Sequence, residues 1–237
     1  MRGDRPHLWP VLLVGVDRTL DLGGRGWLAL AVGIAVGWWF YVPLHELAHA
    51  VGCLVAGGEV TRLELAPEYG AALLARWLSF VAVGSDYAGQ LTGFDTRGSD
   101  AIYLTTVLAP YLLTLFPGVP VLLASAGRSG VRARLCFGAS LPWALAPLLS
   151  LPGDYYEAGS ILASQMVSWS GRELPAHWRG DDLPLLLTEL SAHNQLDATT
   201  VLGITAGALI GAALALLTLW LATSLWRHRL RAVLPAS

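Results

Sequence analysis

Hydrophobic positions along the chain gather into four long blocks, at about 27–57, 100–126, 131–151 and 199–226, separated by stretches of different character. A helix rises 1.5 Å per residue, so about 20 apolar residues cross a hydrocarbon core of about 30 Å, and each block predicts a membrane span. The first block would make about 46 Å of helix, so it must tilt, bend or protrude. Pro43 within it removes a backbone hydrogen bond and predicts a kink. The second block is broken by Pro110, Pro117 and Pro120 and the third by Pro142 and Pro147. Such breaks are tolerated where protein or a water-filled cavity satisfies the freed backbone groups. After the first block Gly57-Gly58 stops the helix, and Glu59 to Leu65 alternates polar and apolar with period two, a strand signal. Residues 58–99 therefore predict a small strand-rich insertion, and 153–198 a polar loop with a short helix over Tyr156–Trp169. Residues 1–26 hold only Leu8–Val16 as a strongly apolar run, too short to cross, and predict an interfacial segment. The expected fold class is an all-α membrane protein, with about four transmembrane helices and a small β-rich insertion after the first, forming one domain over 27–237.

Glycine spacing adds contacts to this outline. Gly33/Gly37 and Gly203/Gly207/Gly211 form GxxxG ridges that let another helix come close. The pattern predicts that the first and fourth spans pack together through one of these ridges.

Composition agrees with the bilayer: 54% of residues are hydrophobic, 14% are charged and the mean hydropathy is +0.54. Ordinary soluble domains carry about a quarter charged residues. A net charge of −2 gives no reason to expect a nucleic-acid partner. Every basic residue is arginine, a usage typical of GC-rich bacterial genomes, so the expected location is a bacterial cytoplasmic (inner) membrane. With the N-terminus inside, four spans place ten arginines inside, among them Arg25, Arg132 and Arg229, against five outside, as the positive-inside rule prefers. Cys53 and Cys136 both fall in apolar spans and read as small buried hydrophobes.

The chemistry sits in the first block, as His45-Glu46-Leu47-Ala48-His49. Histidines four apart on a helix project from one face and can grip one metal ion, while Glu46 can take a proton from water activated there. Ionisable residues among Trp38, Trp39, Phe40 and Val51 are expensive in lipid, which favours a functional role. A catalytic zinc needs a third protein ligand and one open position. With the third span running back across the membrane from the Arg128–Arg134 turn, its end reaches the depth of the motif. There Asp154 is the candidate third ligand, with Glu157 its rival three residues on. Asp154 also suits the N-cap of the helix that follows. Cys53, His177 and His193 are weaker candidates.

These residues resemble the site-2 protease family of intramembrane zinc metalloproteases. His45-Glu46-Leu47-Ala48-His49-Ala50 is similar to that family's first motif, and Gly57-Gly58-Glu59-Val60 to the turn and strand after it. Leu108-Ala109-Pro110-Tyr111 resembles its Ala-Gly-Pro stretch without the glycine. Leu151-Pro152-Gly153-Asp154 resembles its Leu-Asp-Gly motif with the glycine moved ahead of the aspartate. The resemblance covers about residues 27–165. It implies zinc held by His45, His49 and Asp154, Glu46 as general base, and a membrane-protein or peptide substrate cut in or beside the lipid bilayer. The chain departs from the family in two further ways. No span contains asparagine, since Asn194 lies in a loop, and the arginine bias puts the HExxH end outside, whereas family members turn it toward the cytoplasm. The strand at Val60–Leu65 is a candidate edge for an extended substrate. Two other classes compete: a catalytically inactive binding or scaffold protein of the same fold, and a transporter. The transporter is disfavoured because the ionisable residues cluster at one end instead of lining a path.

Overall fold

The computed structural model describes residues 8–169 and 178–233. Helix α1 (Leu8–Leu20) is followed by α2 (Gly24–Val55), a single 32-residue helix. Its apolar length gives about 48 Å, and it continues as one helix through Pro43. Among the described residues, three helices are long and apolar enough to cross a membrane: α2, the run from Asp100 to Ala126, and Ala198–Leu225. The second run comprises α4 (Asp100–Leu108), a tight turn over Ala109–Tyr111, a wide irregular turn over Thr114–Gly118 and α5 (Val119–Ala126). Its breaks fall at the prolines. The wide turn is held from outside the run, with the Thr114 hydroxyl donating to the Trp143 carbonyl at 2.8 Å.

The insertion after α2 is a three-stranded sheet in the order β2-β1-β3. It is built from β1 (Glu59–Leu65), a four-residue helix α3 (Ala71–Leu74), β2 (Val81–Val83) and β3 (Gly89–Asp95). The period-two pattern explains the outcome, because Leu63 and Leu65 are fully buried and pack with Val42 and Ala50 of α2. However, β1 is the central strand, paired parallel with β2 and antiparallel with β3. It therefore has no open edge to offer, contrary to the expectation from sequence. The strand with an unpaired edge beside α2 is β3.

The third apolar block differs from its sequence reading. It forms α6 (Val131–Ala144) and one further turn, α7 (Ala146–Leu149), and the chain then re-enters a helix at α8 (Asp154–Trp169). Neither piece is long enough to cross alone. Helix α6 runs parallel to α2: Gly33 abuts Leu135 and Gly138, Gly37 abuts Ala139, and the Trp143 indole donates to the Gly37 carbonyl. Helix α8 runs antiparallel to α10 (Ala198–Leu225), with Tyr155 against Gly211 and Ser160 against Gly207. The short helix expected over Tyr156–Trp169 forms as α8, beginning two residues earlier at Asp154, and it is packed into the bundle, with Tyr155, Tyr156, Ala158 and Ser160 fully buried. The glycine ridges of the first and fourth spans do meet close neighbours, but these are α6 for Gly33 and Gly37, α8 for Gly207 and Gly211, and Trp178 for Gly203, not each other.

The arginine-bearing end is closed by a buried guanidinium. Arg134 is fully buried, and its two terminal nitrogens donate to the carbonyls of Gly15, Ser125, Ala126 and Arg128. That satisfies carbonyls left open where α5 ends and ties α1 to the bundle by packing. Of the cysteines, Cys53 is buried as expected, but Cys136 lies exposed on the outer face of α6.

Candidate metal centre

Three elements meet at the HExxH motif. Helix α2 presents His45 and His49 from one face, both 8% exposed. The start of α8 presents Asp154, and α4 with the turn after it supplies Thr106 and Tyr111. The Nε2 atoms of His45 and His49 are 3.1 Å apart. Asp154 Oδ2 lies 3.1 Å from His45 Nε2, and Asp154 Oδ1 lies 3.7 Å from His49 Nε2. All three donors fit within 4.8 Å of one another.

Hydrogen bonds behind the trio fix its chemistry. His49 Nδ1 is 2.9 Å from the Thr106 carbonyl. A carbonyl only accepts, so Nδ1 carries the proton and Nε2 turns a lone pair toward the centre. His45 Nδ1 is 2.8 Å from the Tyr41 hydroxyl. The Tyr111 hydroxyl donates to Asp154 Oδ2 at 2.7 Å, which orients the carboxylate. Partners of this kind, holding the far side of each ligand, are the usual company of metal-binding imidazoles and carboxylates.

The donor set fits zinc. Bonds of about 2.1 Å in a tetrahedron put ligand atoms about 3.4 Å apart, and the three separations here are 3.1, 3.1 and 3.7 Å.

Glu46 stands beside the trio, lining a cavity of about 280 Å³ with His49, Asp154, Gly89, Gln90 and Tyr103. A Cβ at Gly89 would come within 2.6 Å of Glu46 Cγ, so β3 lies directly against the glutamate. The cavity thus has α2 and α8 on one side and the open edge of β3 on the other.

Other candidates fall outside the trio. Glu157, the rival for Asp154, lines the same cavity but accepts a hydrogen bond from the Tyr103 hydroxyl and does not join the cluster. Cys53 packs against Gly58, with its thiol 3.5 Å from the Glu59 carbonyl. His193 caps the short helix α9 (Leu183–Ala192) through the Glu189 carbonyl. His177 lies outside the described residues. Several residues that shape the site escaped the sequence reading: Tyr41, Tyr103, Thr106, Gly89 and Gln90, while Tyr111 was noted only within the Leu108–Tyr111 stretch and given no role. Tyr41 had a legible signal, since it sits four residues before His45 on the same helical face. The others come from distant segments.

Comparison with protein-family models, with curated proteins and with solved structures gives no match to this chain.

Proposed function

We propose that the protein is a zinc-dependent intramembrane endopeptidase, akin to the site-2 protease family, that cleaves membrane-embedded or membrane-adjacent protein segments. One observation carries this reading: the two histidines of an HExxH motif and Asp154 converge within 4.8 Å, and Glu46 lines the cavity that adjoins them. His45, His49 and Asp154 would hold a zinc ion, which would supply Lewis-acid chemistry to polarise the scissile carbonyl and acidify water.

The chain's own groups do the rest. Glu46 takes the proton from the attacking water on a carboxylate oxygen and delivers it to the leaving amide nitrogen, so the base becomes the acid for bond breakage. Thr106 holds His49 in one tautomer, and Tyr111 keeps Asp154 from swinging away. A helical substrate hides its carbonyls, so the segment must be extended before it is cut. The unpaired edge of β3, beside Glu46, suits an extended segment added as a fourth strand. In this reading α6, α7 and α8 together make one interrupted crossing, which brings the number of crossings to four and places Asp154 at the interruption. Half-helices that start inside a membrane are where many membrane proteins place their ion sites.

The test compares Glu46→Gln with His45→Ala, for zinc content and for cleavage of a co-expressed single-span protein. General base catalysis contributes about 10²–10⁴-fold. Glu46→Gln should therefore keep zinc and lose cleavage, while His45→Ala loses both. Full cleavage by Glu46→Gln refutes the mechanism, and wild-type behaviour of Glu46→Gln in a partner-binding assay together with no cleavage by the unmodified protein supports the scaffold reading instead.

A further inference from the structure

The cavity beside the candidate metal centre extends past the trio, and its far wall is negative. Thr106 and Asp154 mark the level of the histidines. One turn away on each helix, Tyr103 of α4 and Glu157 of α8 meet, the tyrosine hydroxyl donating to Glu157 Oε1. That turn displaces the pair by about 5 Å from the centre. Glu157 is 8% exposed, and the Tyr103 hydroxyl is its side chain's one hydrogen-bond partner among the described residues. A carboxylate has about four acceptor sites, so most of its capacity faces the cavity unused. Asp181, which accepts from the Gln90 side chain, and Asp182, which caps α9, continue the same wall toward the mouth, and among the described residues no arginine lines the cavity. The nearby cation, Arg179, is already held by both oxygens of Asp100 and by the Ser164 hydroxyl.

A buried carboxylate with one neutral partner is costly unless a cation or several donors join it. We infer that Glu157 and Tyr103 form a specificity subsite for a basic side chain, arginine or lysine, one or two residues from the scissile bond of the substrate. This rests on the endopeptidase reading. The spacing follows from the rise of an extended chain, about 3.3 Å per residue, against the offset of about 5 Å between the pair and the metal centre. A guanidinium suits the site best, because its fork can bond both the Glu157 oxygens and the mouth carboxylates. The Tyr103 hydroxyl would hold the carboxylate toward the incoming group.

The experiment uses the full-length, zinc-loaded protein in detergent micelles. Its probes are single-span segments that differ at one position, scanned across the residues flanking the cut, where arginine, citrulline, alanine or glutamate is placed. Binding is read by fluorescence anisotropy on the Glu46→Gln protein, so affinity is measured without turnover, and cleavage is read separately on the unmodified protein. At the subsite position arginine should bind on the order of tenfold or more tighter than citrulline, its neutral isostere, with glutamate weakest. Adding Glu157→Gln should bring arginine and citrulline within about twofold. Tyr103→Phe should keep the preference, since the charge remains. Equal binding of arginine and citrulline at every position overturns the subsite, as does a preference that survives Glu157→Gln. The citrulline comparison needs no change at Glu157, so a poorly folding Glu157 variant leaves the test intact. The two readings fail separately: a charge preference in binding with no cleavage of any segment refutes the endopeptidase alone, and cleavage indifferent to charge refutes the subsite alone.

Discussion

Replacing Gly211 with alanine should weaken zinc binding although Gly211 touches none of the three candidate ligands. An added Cβ there would overlap the Tyr155 carbonyl oxygen and sit 2.8 Å from the Tyr155 carbonyl carbon and 3.2 Å from Tyr156 N. Ordinary contact distances for these atoms are about 3.5–4.0 Å, so the start of α8 must retreat from α10 by about 1 Å. Overpacking of this kind typically costs about 1–3 kcal/mol, and the better helix propensity of alanine returns up to about 1 kcal/mol. Stability should therefore fall only modestly. The larger effect is geometric. Asp154 is the residue before Tyr155, and metal–ligand distances tolerate only about 0.2 Å of change. A shift several times that size should reduce zinc affinity by about 10–100-fold, the range seen when groups supporting metal ligands are lost. Affinity is measured by competition with a chromophoric chelator, alongside helical content and thermal unfolding in detergent. Gly24→Ala is the control, because a Cβ there meets nothing within 4 Å. If Gly211→Ala binds zinc like the unmodified protein while melting like it as well, the argument that α10 positions Asp154 through this contact is wrong.

Three further outcomes are expected. Tyr111→Phe removes the donor to Asp154 and should cost about tenfold in zinc affinity with little change in thermal stability, as checked by the same chelator competition. Arg134→Met leaves buried carbonyls at the α5 end without donors, so thermal unfolding should show a loss of about 3 kcal/mol or more, with zinc content per folded molecule unchanged. Stripping zinc with a chelator should lower the unfolding midpoint, and readdition at about 100 times Kd should restore about 2.7 kcal/mol, whereas the His45→Ala protein should show no such zinc response.

Much of this molecule was readable because hydrophobic length and period are local properties. The span 199–226 and helix α10 differ by a residue at each end, and the alternation in Glu59–Leu65 marks β1. His45 and His49 were legible because a spacing of four on one helix fixes their mutual geometry. Other features depend on what lies across the interface. The glycine ridges announce a close neighbour without naming it, since α6 and α10 would both satisfy Gly33 and Gly37. The role of β1 as a central strand depends on β2 and β3 pairing on both sides, which its own sequence does not encode. Helix α8 was legible over Tyr156–Trp169, two residues short of its start at Asp154, but its burial inside the bundle was not, because Asp154, Glu157, Ser160 and Ser164 dilute its apolar character. Those polar groups instead meet Tyr111, Tyr103 and neighbouring backbone inside the bundle.

The two glycine-mediated pairings divide the candidate centre between separate assemblies. His45 and His49 belong to the pair α2–α6, and Asp154 belongs to the pair α8–α10, each pair closed by backbone contact along its own glycines. A metal at the trio is therefore a rivet across a seam. The chain connection between the pairs is the short stretch 150–153 between α7 and α8, so removing the ion should loosen the seam before it loosens either pair. In hydrogen exchange this would appear as faster exchange at the N-terminal turn of α8, with the α2–α6 contact still protected. Metal loading would then be the last step in assembling the protein, and any motion that opens the seam to admit a substrate would also strain the aspartate's hold on the ion.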